Sequence, residues 1–137
     1  MIEVAKTWCK KYKLYLSTVT KAQRGSLLLA NKQFAEPVKA DLAVLQLHKG
    51  ISQFAFLQAV VNNCLVQILP NASAIAEGSP DGNLVHQLRV GIRRLRTALK
   101  HFKFAQDYID PNWLMVLKQT FSLLGAVSYT HLRAHET

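Results

Sequence analysis

The chain has 137 residues, half of them apolar, which is enough to bury a core and excludes a disordered tail or a purely polar linker. Seventeen Lys and Arg face eight Asp and Glu, a balance of +9 that points to anionic partners and away from cationic ligands. Two cysteines far apart, Cys9 and Cys64, form no CxxC and no metal-type spacing, so they read as reduced thiols.

In chain order, Ile2, Ala5, Trp8, Cys9 and Tyr12 recur at helical spacing over residues 1–12. This N-terminus lacks the long apolar core and cleavage site of a signal peptide. Residues 14–20, LYLSTVT, alternate and are rich in β-formers, which predicts a strand. A lone strand needs a partner, and only Leu27 to Leu29 offers a second candidate, so either the partner lies outside this sequence or the segment is not a strand. Residues 37–53 are a transition punctuated by Pro37, Gly50 and Ser52, with Ser52 placed to cap a helix.

From there Phe54, Leu57, Val61, Cys64 and Ile68, widened by Phe56, Val60, Leu65 and Leu69, predict a core helix broad enough to touch two neighbours. Polar Gln58, Asn62, Asn63 and Gln67 interrupt the apolar run 54–69, which is short for a bilayer, so no membrane segment is expected. Residues 70–83 collect Pro, Gly, Asn, Asp and Ser and read as a kink or loop, with at most one helical turn near Ala74 to Glu77.

Residues 84–103, LVHQLRVGIRRLRTALKHFK, carry the sharpest pattern. Wound as a helix, His86, Arg89, Arg93, Arg96, Lys100 and Lys103 form one stripe, while Leu88, Ile92, Leu95, Leu99 and Phe102 form a second. The two stripes point roughly 110° apart, so one packs while the other faces a groove or solvent. Arg94 points about 100° from Arg93, toward another face. Gly91 inside the helix predicts a close approach of a backbone or ligand, or is simply tolerated. Asn83 or Pro80 opens the helix, and the segment from Tyr108 to Pro111 ends it, with Pro111 able to start the next. From Asn112 on, Leu114, Leu117, Phe121 and Leu124 make a third apolar face.

The stripe has no acidic residue at helical neighbour spacing, so a solvated face laced by salt bridges fits it less well than most charge runs. His86 lacks a paired carboxylate and nucleophile, and no catalytic arrangement is legible. Three anionic partners are open: nucleic acid, a membrane surface or acidic protein groove, and a bare polyanion. The stripe interleaves no aromatics for base stacking and has only Gln87 near it for base reading, which favours a ligand with charge and no bases. Guanidinium suits phosphate oxygens in bidentate geometry.

HQLRVGIRRLRTALKHF resembles the signature helix of the CHAD domains, with His86, Arg89, Arg93, Arg94 and Arg96 in register. That resemblance implies an all-α fold of two four-helix bundles whose basic side chains bind inorganic polyphosphate. The site it implies here is His86, Arg89, Arg93, Arg96 and Lys100, with Arg94 and Lys103 auxiliary. TKAQRGSLLLA, residues 20–30, and PVKADLAVLQL, residues 37–47, resemble the close of a CYTH domain and the linker that follows it in bacterial inorganic triphosphatases. Lys21 and Arg24 match that family's basic positions, or are solvated charges beside a turn.

The Glu-x-Glu-x-Lys motif that holds a divalent metal and a triphosphate in CYTH domains is missing, so a metal belongs to the parent protein and no cofactor is expected in this chain. The expected organisation is a CYTH remnant of mixed α/β character at 1–36, a linker at 37–50, the first part of a CHAD helical bundle at 51–126, and a tail at 127–137. The tail, VSYTHLRAHET, resembles a translated transposase-end sequencing adapter, which implies a natural chain cut after Ala126 and strips meaning from the i, i+4 pair His131 and His135. Without it the charge balance stays at +9. The expected protein is a cytoplasmic polyphosphate-binding module without turnover, with apolar faces left bare and prone to self-association.

Overall fold

A computed structural model describes residues 1–42, 45 and 48–126, together with the backbone course of 127–136. The side chains of His131 and His135 lie outside the described residues. Five α-helices account for the fold: α1 Ile2–Tyr12, α2 Lys21–Leu29, α3 Gln53–Ala76, α4 Gly82–His101 and α5 Pro111–Glu136, with a 3-10 turn at Lys103–Asp107. Helix, and no strand, is found among the described residues.

The strand expected at 14–20 is therefore irregular chain, and the β part of the expected remnant at 1–36 goes with it. Its Ser and Thr side chains serve the backbone locally instead. Ser17 Oγ accepts from Val19 N, and Thr20 caps α2 in a reciprocal capping box with Gln23. The second strand candidate, Leu27 to Leu29, is the last turn of α2. Without a partner the alternation had nothing to pair with. α1 forms as expected, ends at Lys13 in the left-handed conformation (φ 52°), and buries none of its residues.

Ser52 caps α3, its Oγ accepting from Ala55 N at 3.1 Å. The helix then continues past Pro70 to Ala76, where the sequence predicts a kink or loop. Proline costs about 3 kcal/mol inside a helix, and here tertiary contacts on the far side outweigh it. Asn71, fully buried, accepts from Val38 N at 3.0 Å and donates to Val38 O at 2.9 Å, clamping the linker to the helix. Ser73 accepts from Thr18 N at 3.1 Å. The Asn71 and Ser73 that read as loop are thus satisfied buried side chains, and the loop itself is confined to residues 77–81. By length and hydropathy alone α3 could cross a membrane; what it does here is line the core.

Gly78 (φ 97°) lets the chain leave α3 by a two-bond cap, Ser79 N to Ala74 O and Gly78 N to Ile75 O. Asp81, and neither Asn83 nor Pro80, then caps α4, accepting from Asn83 N at 2.9 Å. α3 and α4 so form an antiparallel hairpin, with Phe56 near the start of one meeting Phe102 at the end of the other, ring centroids 5.5 Å apart. α4 stops at His101, earlier than its pattern suggests, and the 3-10 turn leads to Pro111, which opens α5 as expected. α5 returns along a second flank of α4. Cys64, Ile68, Leu88, Ile92 and Leu95 are the buried centre, flanked by Leu117, Phe121 and Leu124 of α5.

Gly91 marks the tightest point of the hairpin. A Cβ there would sit 2.7 Å from Ile68 Cγ1 and 3.4 Å from Gln67 Cγ, so the close approach expected from the sequence is to side chains of α3. Gly91→Ala should cost about 1–2 kcal/mol in urea unfolding even though alanine gains about 1 kcal/mol of helix propensity. Ile68→Ala in the same chain should recover part of that loss, and strict additivity of the two changes would show that the contact is not the cause.

Apolar surface remains open where Phe54, Leu57, Val61, Leu99, Phe104 and Trp113 surround a groove of about 570 Å³. Phe54 and Trp113 are 65% and 60% exposed, in keeping with the bare faces expected of so few helices.

Candidate anion-binding face

The apolar stripe of α4 turns inward as its period dictates: Leu88, Ile92 and Leu95 are buried. The basic stripe therefore emerges beside the line where α5 docks. His86, Arg93 and Lys100 are exposed, and Arg89 and Arg96 are half-buried. Lys103 lies beyond the helix end, exposed on the 3-10 turn, so it does not continue the helical phase.

Antiparallel docking of α5 brings Phe121 into the middle of this row. Its ring centroid is 4.9 Å from the guanidinium carbon of Arg89, 5.7 Å from that of Arg93 and 5.6 Å from that of Arg96. The row does contain an aromatic, then, supplied by another helix. Further along the same seam, Arg96, Lys100 and Lys118 surround a shallow depression floored by Leu114 and Met115. Lys118 has no counterpart in the sequence reading, because a single lysine in a helix patterned by leucines carries no periodic signal.

Among the described residues nothing nearby neutralises these groups. The ion pairs between described residues are Lys6 with Glu3, Arg24 with Glu77 and Lys32 with Glu36, and none includes a cation of the stripe. From Gly82 to Gln106 and from Pro111 to Ala126 the sequence contains no Asp or Glu. Among the described residues Arg89, Arg93 and Arg96 make no hydrogen bond, and the Nε of Arg89 is buried with no acceptor. Guanidinium groups in this state hold unused donors and mutual repulsion, both of which an oxyanion relieves.

Arg94 is different. One of its terminal nitrogens donates to Gln67 Oε1 at 2.8 Å and the other to Asn63 Oδ1 at 2.5 Å, both on α3, while Gln67 Nε2 donates to Gln87 Oε1 at 3.1 Å. The separate direction expected for Arg94 is found, and its donors are committed to the helix hairpin. Burial pushes the thiol of Cys64 above its ordinary range, with Arg94 pulling weakly the other way, so this cysteine stays a protonated core residue. Arg24, one of the two basic positions that the resemblance to CYTH domains singles out, is paired with Glu77 at 3.1 Å.

No curated protein and no solved structure matches the chain. The family model described as CHAD domain matches residues 59–131, which takes in most of α3, all of α4 and most of α5. That match covers more than half of the sequence and contains every residue of the cationic seam, so the chain belongs to the CHAD domain family.

Proposed function

We propose that the seam between α4 and α5 binds inorganic polyphosphate by charge-assisted hydrogen bonds, without turning it over. His86, Arg89, Arg93, Arg96 and Lys100 carry the contact, Lys118 and Lys103 extend it, and Arg94 supports it from behind. The observation that carries this reading is the cluster of three guanidiniums with free donors and no counter-ion among the described residues. Membership of the CHAD family supports polyphosphate as the anion. The resemblance of residues 20–30 and 37–47 to the end of a CYTH domain supports, as parent, a cytoplasmic inorganic triphosphatase that uses this module to hold polymer.

Competition between long-chain polyphosphate and DNA of matched charge tests it. Neutralising four or five phosphates predicts a log-log salt slope of roughly −3 to −4 for the full chain. Changing Arg89, Arg93, Arg96 and Lys100 together to Gln should flatten the slope and weaken polyphosphate binding by about 100-fold, since one ionic contact after another is removed. Preference for DNA would transfer the seam to nucleic-acid binding. Unchanged polyphosphate binding by the fourfold variant would place the site elsewhere.

A further inference from the structure

Three arginines spaced four and three residues apart on one helix face repel each other and, left alone, splay into solvent. Each guanidinium also carries about 2 kcal/mol of side-chain entropy that a ligand must overcome to gather them. In this fold they are already gathered, all within 6 Å of the centroid of a single ring that comes from a different helix. The face of a benzene ring is electron-rich and attracts cations, and a guanidinium held by a ring keeps its N–H donors for other partners. The absence of any hydrogen bond from Arg89, Arg93 or Arg96 to a described residue leaves those donors available, the buried Nε of Arg89 among them.

We propose that Phe121 is a positioning residue of the anion site: its ring holds the guanidiniums of Arg89, Arg93 and Arg96 in one preformed cluster whose N–H donors face the oxyanion. The site is therefore completed only when α5 docks on α4, and α4 alone is a poorer ligand for the same anion. This rests on the polyanion reading of the seam.

Phe121 also packs beside the core with Leu117 and Leu124, so the test must separate ring electronics from ring volume. Pentafluorophenylalanine at position 121 keeps the shape of the ring and reverses its quadrupole, while Phe121→Tyr keeps the electron-rich face. Long-chain polyphosphate should bind the full chain carrying the fluorinated ring about five- to tenfold more weakly, as expected from loss of two or three cation–π contacts. Phe121→Tyr should stay within about twofold of the unmodified chain, because a tyrosine ring attracts cations equally well. In the free protein, NMR should show the side-chain Hδ resonances of the three arginines displaced by the ring current, and Phe121→Leu should return them to ordinary positions.

Equal binding by the unmodified and fluorinated chains, both folded, overturns the positioning role and leaves the polyanion reading intact. If the unmodified chain binds no polyphosphate, the polyanion reading falls; displaced arginine resonances then sustain the clamp itself, and ordinary ones overturn it.

Discussion

Arg93→Met and Arg94→Met should give opposite phenotypes although the residues are adjacent. Arg94→Met is expected to lower unfolding stability by about 3 kcal/mol, because two hydrogen bonds from a charged donor are lost and Gln67 Oε1 is left without its donor in a buried site. Methionine fills much of the space of the arginine stem, so the loss reports the guanidinium and not a cavity. Polyphosphate binding at saturating fold should keep its salt slope, since Arg94 faces α3. Arg93→Met is expected to change stability by no more than about 0.5 kcal/mol, as an exposed side chain without a described hydrogen bond. It should make the log-log salt slope shallower by about one unit, the signature of one lost phosphate contact. Urea unfolding and titrations across salt measure both. A shallower slope for Arg94→Met would return that residue to the anion face.

That pair shows where the sequence stops being legible. The existence of α4, its buried seam and the stripe beside it follow from a 3-and-4 spacing sustained over five turns, a local signal that tertiary packing did not override. Which cations are free does not follow from it. Arg94 is engaged by Asn63 and Gln67, about thirty residues earlier, and only the hairpin geometry brings them together. Phe121 was legible as a core-facing residue of the third helix, and its place among the arginines depends on the antiparallel docking of α5, for which no local pattern exists.

The errors have the same origin. Residues 14–20 have the alternation and composition of a strand, but a strand is a property of two segments and no second one is found among the described residues. Residues 70–76 have the composition of a loop because their Asn and Ser are used to hold Val38 and Thr18, and a single-sequence reading weighs Pro70 without those contacts.

The clamp on Val38 carries the second large effect. Asn71→Leu, close in volume, is expected to cost about 3–4 kcal/mol in urea unfolding. The leucine removes the acceptor for Val38 N and the donor for Val38 O, stranding two part-buried backbone groups that cost about 1–3 kcal/mol each when unpaired, together with the side-chain bond to Gln67 O. Ser73→Ala, which loses only the bond from Thr18 N, should cost about 1 kcal/mol and sets the scale for a single neutral contact. Hydrogen exchange locates the effect. The Val38 amide should lose its protection in Asn71→Leu and keep it in Ser73→Ala, while the amides of α4 keep theirs in both under native conditions. Because the clamp attaches the linker to α3 and touches no cation of the seam, polyphosphate should bind Asn71→Leu with the unmodified salt slope wherever the variant is folded. Protection of Val38 that survives Asn71→Leu would mean that the linker is held by something other than this amide, and α3 would then need another account of how it continues through Pro70.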